Sequence, residues 1–261
     1  MLVGRGIEAL GYRLTAKRPE EALSAPTHEL ADIFRDQEFM EIYAQCQSFT
    51  MSGLQRMYAL YKAVDYVCLS HIPGALVECG VWQGGSMMLC ALTLIARKET
   101  TRRLYLYDTF EGMPLPDGRD IDPAGKPASE LWSELEGEGV KKWCYAPLDA
   151  VRANLLRTGY PPENTIFVSG KVEESIPGII PDSISLLRLD TDWYTSTCHE
   201  LTHLFPVLAV GGVLILDDYG YWSGARQATD EYLREHSARL LLDRIDSGAR
   251  IAVKQGLPAH C

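Results

Sequence analysis

Two apolar runs in this chain stop abruptly at paired carboxylates. Ile184-Ser-Leu-Leu-Arg-Leu189 is followed by Asp190 and Asp192, and Val213-Leu-Ile-Leu216 by Asp217 and Asp218. Neither run shows sustained polar alternation, so each reads as a strand buried on both faces, the kind found inside a parallel sheet. Side by side, they deliver four carboxylates to one edge of the sheet, where open α/β folds hold their ligands. Acids gathered there repel unless something positive sits among them, and an all-oxygen donor set suits a hard cation such as Mg²⁺. In the competing reading Asp217 and Asp218 cap the next turn, while Asp190 and Asp192 pair with Arg188, Arg226 or Lys171. The immediate turn after the strand points Asp192 differently from Asp190, which frees it to act as a base.

The upstream chain supplies the other half of such a fold. The strand Ala75–Gly80 runs into Gly80-Val-Trp-Gln-Gly-Gly-Ser86, then an apolar helix ending in Arg97 and Lys98, then the strand Leu104–Tyr107 closing on Asp108. Strand, glycine turn, helix and acid-ended strand is the opening of a doubly wound nucleotide-type fold. Glycines at 80, 84 and 85 let backbone approach a ligand, and the helix N-terminus can receive a carboxylate or phosphate. The spacing departs from GxGxxG, so a dinucleotide is not indicated. Asp108 stands where a ribose-hydroxyl acceptor belongs, or caps its own strand end. An adenosyl ligand with its ribose at Asp108 and its charged tail at Glu78–Ser86 fits this order.

Before the first strand, Thr27–Phe34 and Phe39–Tyr43 carry short amphipathic patterns, and residues 1–52 read as a helical cap or oligomer contact on a main unit spanning 53–261. Residues 53–70 place Leu54, Met57, Tyr58, Tyr61, Val64, Val67 and Cys68 on one helical face. Residues 111–146 are rich in Pro, Gly and charge and are too long for an ordinary connection. Trp132, Trp143 and a helical stretch near Ser129–Leu135 give this insertion something to pack, so it reads as a mobile lid. Arg250–Lys254 can supply an edge strand.

A net charge of -10 disfavours nucleic acid or an anionic membrane as partner. Seven cysteines without a CxxC pair read as reduced core fillers, and the absence of a secretory or membrane-spanning run makes a cytosolic location the simplest expectation. His199 and His203 lie four apart on a probable helix without the HExxH pattern or a third ligand, so they do not indicate zinc. Trp193, Tyr194, Tyr219, Tyr221 and Trp222 flank the acids as either an aromatic wall for a ligand or a packing layer.

Four segments taken in order, Val77–Ser86, Tyr107-Asp-Thr-Phe-Glu-Gly-Met113, Leu189-Asp-Thr-Asp-Trp-Tyr-Thr-Ser-Thr197 and Gly211–Tyr232, resemble the macrocin O-methyltransferase (TylF-like) family. The likeness covers roughly residues 48–245. It implies a Rossmann-like class I methyltransferase fold with a mostly parallel seven-stranded sheet, and Mg²⁺-dependent transfer of a methyl group from S-adenosylmethionine to a sugar hydroxyl of a glycosylated natural product, releasing S-adenosylhomocysteine. By the same resemblance Asp190, Asp217 and Asp218 hold the metal and Asp192 is the base. Glu78, Gly80, Gln83, Gly84, Ser86, Asp108 and Thr109 form the cofactor pocket, with Gly170 and Val172 near adenine and Thr50 and Met51 over the methionine part. Family habit favours a homo-oligomer. Gln83 stands where members often carry arginine, which weakens a contact to the cofactor carboxylate. Trp193 stands where Met or Leu is common, which narrows the acceptor pocket. A catechol-type O-methyltransferase would use much the same acids, whereas a Mg²⁺-dependent hydrolase or aldolase would leave Asp108 unexplained.

Overall fold

Five parallel strands and an antiparallel pair form one sheet in the computed structural model, which describes residues 30–137 and 143–256. In chain order the elements are α1 (Ala31–Arg35), α2 (Gln37–Cys46), α3 (Leu54–Leu69), β1 (Ala75–Cys79), α4 (Gly85–Ala96), β2 (Leu104–Asp108), α5 (Ala128–Gly137), α6 (Leu148–Leu156) and β3 (Thr165–Ser169). Then come α7 (Val172–Ser175), β4 (Ile184–Leu189), α8 (Tyr194–Leu204), β5 (Leu208–Leu216), α9 (Ser223–Glu235), β6 (Asp243–Arg244) and β7 (Arg250–Val253). The strand order is β3-β2-β1-β4-β5-β7-β6, with β7 antiparallel to both of its neighbours. Arg250–Val253 is therefore an interior strand, because the two-residue β6 covers its outer side, and the edge placement expected from sequence is corrected here.

Alternation along the central strands divides the core. Leu76, Leu106, Leu186 and Ile215 pack against α2, α3 and α4, while Val77, Tyr107, Leu187 and Leu216 pack against α8 and α9. Phe39, Ile42, Tyr43 and Cys46 of α2 join the first of these layers. Residues 27–29 of the first helical pattern, with His28, His260 and Cys261, lie outside the described residues. Cys46, Cys68, Cys79 and Cys90 are free thiols buried in the core. Among the described residues no helix is long and apolar enough to cross a membrane.

Ladder hydrogen bonds continue one step past the strand ends. Gly80 N donates to Tyr107 O, Asp190 N to Cys79 O and Asp217 N to Leu189 O, each at 2.9 Å. Gly80, Asp190 and Asp217 thus stand in register on the carboxyl edge. Gly80 adopts φ +83°, and a Cβ there would lie 1.9 Å from the carbonyl oxygen of Asp190. Only glycine lets β1 and β4 converge this closely as they leave the sheet.

The insertion is docked onto this edge. Met113 N donates to Trp143 O at 2.9 Å, closing its two ends together, and Ser223 exchanges hydrogen bonds with Ile121 and Arg119. Asp120, with no exposed surface, accepts from Tyr194 N at 2.8 Å and from Asp117 N at 2.8 Å. Helix α8 has no cap from its own N-cap side chain, so Asp120 supplies one from 74 residues away. A Cβ at Gly224 would fall 2.0 Å from Asp120 Oδ1, which explains glycine there. Asp120→Ala is expected to lower the unfolding free energy by about 2 kcal/mol, since it removes a helix cap and strands buried donors. Urea denaturation measures this, and an unchanged midpoint would show the in-trans cap to be idle.

Candidate active site

A cleft opens along the carboxyl edge, from Thr50, Met51 and Ser52 ahead of α3 to Gly170 and Val172 beyond β3. Its wall includes eight of the residues expected at a cofactor: Thr50, Met51, Gly80, Ser86, Asp108, Thr109, Gly170 and Val172. Glu78, Gln83 and Gly84 lie behind this wall. Glu78 is 1% exposed and pairs with Arg188 at 2.5 Å. The Gln83 carbonyl accepts from Asn154 Nδ2 at 2.9 Å, and Gly84 faces Leu155 and Val151 of α6. These three shape the turn from behind.

Asp108 does more than sequence spacing suggested. Its Oδ2 accepts from Val81 N at 2.7 Å and Trp82 N at 3.0 Å, and its Oδ1 accepts from Phe110 N at 2.7 Å. The carboxylate pins the glycine turn to the end of β2 while lining the cleft. Helix α4 starts at that turn with no side-chain cap, so its N-terminal amides, beside Ser86, remain suited to an anionic ligand group.

Asp190, Asp217 and Asp218 each offer an oxygen within 4.8 Å of the others. Two arginines also reach these acids. Arg188 projects from near the carboxyl end of β4, donating to Asp190 Oδ2 and Asp217 Oδ1 at 2.7 Å each, and Arg56 of α3 bonds Asp217 Oδ2 and, at 2.7 Å, Asp246. Arginine pairing and a carboxylate cluster, set apart as alternatives on sequence grounds, thus coexist. Arg226 instead sits 4.0 Å from Asp230 on the surface.

Positive charge is still short. Burial would raise the Asp217 carboxyl, but the guanidiniums of Arg188 and Arg56 outweigh it and hold Asp217 below the usual carboxylate range. Burial raises Asp190 well above that range despite Arg188, with Asp217 and Asp218 adding like-charge repulsion. Burial and Asp192 raise Asp218 in the same way. Burial also lifts Glu78 to about 7, and its Oε2 has no hydrogen-bond partner. Three oxygen donors in a site that favours added positive charge fit a small divalent cation.

Asp192 lies beside this cluster on the cleft wall. Its backbone takes φ +66°, a left-handed conformation that aspartate tolerates better than most residues. Its N–H donates to Asp218 Oδ2 at 3.2 Å, tying the two acidic loops together. Burial, then the charge of Asp190, raises its carboxyl well above the ordinary value. Here the flanking aromatics act as packing: Trp193 and Trp222 are 2% and 1% exposed and stack edge to face at 5.1 Å. The stack continues through Trp143 at 5.9 Å to Trp132 at a further 6.0 Å, both in the insertion. Tyr194 lies under the Arg119 guanidinium, and Tyr219 donates to Asp230 at 2.8 Å. The His199 and His203 rings lie tilted against each other, with centroids 4.4 Å apart, and His199 Nε2 is held at the Ile176 carbonyl.

Residues 30–252, most of the chain, match the family described as Macrocin-O-methyltransferase (TylF). The chain belongs to the macrocin O-methyltransferase family. It is an S-adenosylmethionine-dependent O-methyltransferase, and the hydrolase and aldolase alternatives fall away. A curated relative from Streptomyces olivaceus, 8-demethyl-8-(2,3-dimethoxy-alpha-L-rhamnosyl)-tetracenomycin-C 4'-O-methyltransferase, is 34% identical over 197 residues, 76% of this chain and 72% of the relative. Demethyldecarbamoylnovobiocin O-methyltransferase of Streptomyces niveus is 32% identical over 70% of this chain and 67% of its own length. Mycinamicin III 3''-O-methyltransferase of Micromonospora griseorubida is 30% identical over 72% and 71%. The solved O-methyltransferase NovP superposes with a TM-score of 0.69 at 29% identity, covering 80% of this chain and 83% of that one. The calicheamicin methyltransferase CalS11 shares the fold, with a TM-score of 0.61 at 16% identity over 93% and 99%.

Sequence reading passed over Arg56, Asp120 and the contact between Trp222 and Asp192. Arg188 was the legible one, because an arginine inside an apolar strand must have acids to meet.

Proposed function

We propose that this enzyme methylates a sugar hydroxyl on a glycosylated natural product in a Mg²⁺-dependent reaction. The observation that carries this reading is the placement of Asp192 beside the Asp190, Asp217 and Asp218 cluster, with Asp190, Asp192 and Asp217 on the wall of one cleft. The acceptors for which the relatives are named, among them a rhamnosyl tetracenomycin, support a sugar acceptor.

Asp190, Asp217 and Asp218 are the metal-holding groups, with Arg188 and Arg56 fixing Asp217 from behind. Thr50, Met51, Ser86 and the first amides of α4 take the methionine end of the cofactor, Asp108 and Thr109 the ribose, and Gly170 and Val172 the adenine edge. When bound, S-adenosylmethionine supplies an electrophilic methyl group and Mg²⁺ acidifies the sugar hydroxyl it contacts. Asp192 takes the hydroxyl proton, and the docked insertion keeps bulk water from the reacting oxygen. Met113, Pro114 and Trp143 form the apolar side of the acceptor's approach.

Mass detection of products on a panel of deoxysugar glycosides and catechols tests this reading. We expect a gain of one methylene mass on a glycoside, loss of turnover with EDTA, and recovery on adding Mg²⁺. Methylation confined to catechols would replace the sugar reading, and turnover indifferent to EDTA would remove the metal.

A further inference from the structure

We propose that Trp222 is the positioning residue of Asp192: its indole N–H occupies one carboxylate oxygen so that the other faces the acceptor hydroxyl. This inference rests on the reading of Asp192 as the base.

Trp222 Nε1 donates to Asp192 Oδ1 at 2.8 Å. That is the length of a charge-assisted bond, and such bonds fix geometry as well as contribute energy. The carboxylate sits on a backbone in the left-handed region. With Oδ1 held by the indole and the Asp192 N–H held by Asp218 Oδ2, the group has one oxygen left for a proton, Oδ2. The arrangement follows the general logic of an activated base, in which a third group orients the base towards the proton it will remove.

The donor is itself tightly held. Trp222 is 1% exposed and packs edge to face on Trp193, whose own indole N–H donates to the Pro114 carbonyl of the insertion at 2.9 Å. Trp143, next in the stack, lines the cleft. The same aromatic column therefore borders the acceptor's approach and aims the base. A tryptophan needed only for packing has no requirement for its N–H, so the donor can be removed separately from the ring.

Two substitutions make that separation. Trp222→Phe removes the donor and part of the ring, and Trp222→benzothienylalanine, introduced by codon suppression, keeps the bicyclic shape and replaces N–H by sulfur. Both are expected to lower kcat about 10- to 100-fold, the usual range for losing a hydrogen bond to a charged group. KM for the acceptor and Kd for S-adenosylmethionine should stay within about twofold, because the bond touches neither. Combined with Asp192→Asn, either substitution should change the residual rate by less than about twofold. In the substrate-free protein, the indole N–H resonance that Trp222→Phe deletes should move when Asp192 becomes Asn. Wild-type kcat in the benzothienylalanine enzyme, an undiminished loss on the Asp192→Asn background, or an unmoved resonance would each overturn the inference. If Asp192→Asn itself keeps its rate, the base reading falls and takes this inference with it. Loss in Asp192→Asn with full activity in the isostere removes the Trp222 role alone.

Discussion

Asp192→Asn should cut kcat by about 10²- to 10⁴-fold, the span attributed to a lost general base. The substitution is close to isosteric, and the amide oxygen can still accept from Trp222 Nε1. What it cannot do is take a proton from the acceptor hydroxyl. Stability should move little, or the other way. The Asp192 carboxyl is pushed up by burial and by the charge of Asp190. A carboxyl whose folded value lies above its unfolded value stabilises the fold less as pH rises through that interval. Removing that charge at neutral pH therefore relieves repulsion in the metal-free protein. Single-turnover kinetics on the best glycoside, paired with thermal melting, separates the two effects. A variant that folds as well as the parent and turns over equally fast would dismiss Asp192 as the base.

Arg188→Met should cost about 3–5 kcal/mol of folding free energy, the range found when one partner of a buried ion pair is deleted. Arg188 is 3% exposed and bonds Glu78, Asp190 and Asp217 together with the hydroxyl of Ser52. Methionine fills similar space but leaves three acids around an uncharged side chain. The deficit carries a pH signature. Without the guanidinium, Glu78, already raised to about 7 by burial, and Asp190 rise further. Each then binds its proton more tightly folded than unfolded, so the variant gains stability as pH falls. Its gap to the parent should narrow as pH falls from mildly alkaline towards about 7, where the parent's own folded Glu78 also takes up its proton, and urea titrations across that interval measure this. A gap that is constant or widens would show that the acids are compensated from elsewhere.

Much of the fold was legible because the signals were local. The runs ending at Leu189 and Leu216 are apolar on both faces and stop at acids, so they had to be interior strands with charged carboxyl ends. The glycine turn at 80–85 and the acid at 108 followed from the same grammar. What escaped were long-range partners with no local signature. Arg56 sits on α3 among apolar neighbours and resembles any solvated helix arginine, yet it reaches Asp217 at 161 residues' separation. Asp120 looks like one more acid in a polar insertion until it caps α8. The insertion was expected to be a mobile lid because Trp132, Trp143 and a helical stretch give a long Pro-, Gly- and charge-rich segment something to pack. Its described parts are held by those indoles against Trp193, and also by backbone bonds and by Asp120, partners that composition cannot show. The strand at 250–253 was placed at the edge because nothing in its sequence announces the two-residue β6 that covers it.

The chain has five tryptophans, and four of them, Trp132, Trp143, Trp193 and Trp222, form one column between the insertion and the loop that carries Asp192. Excitation absorbed by any of these indoles passes readily to the others, so intrinsic fluorescence is weighted towards this corner. The emission is a built-in optical gauge of how the insertion sits on the Asp192 loop, while the sheet behind it stays nearly dark.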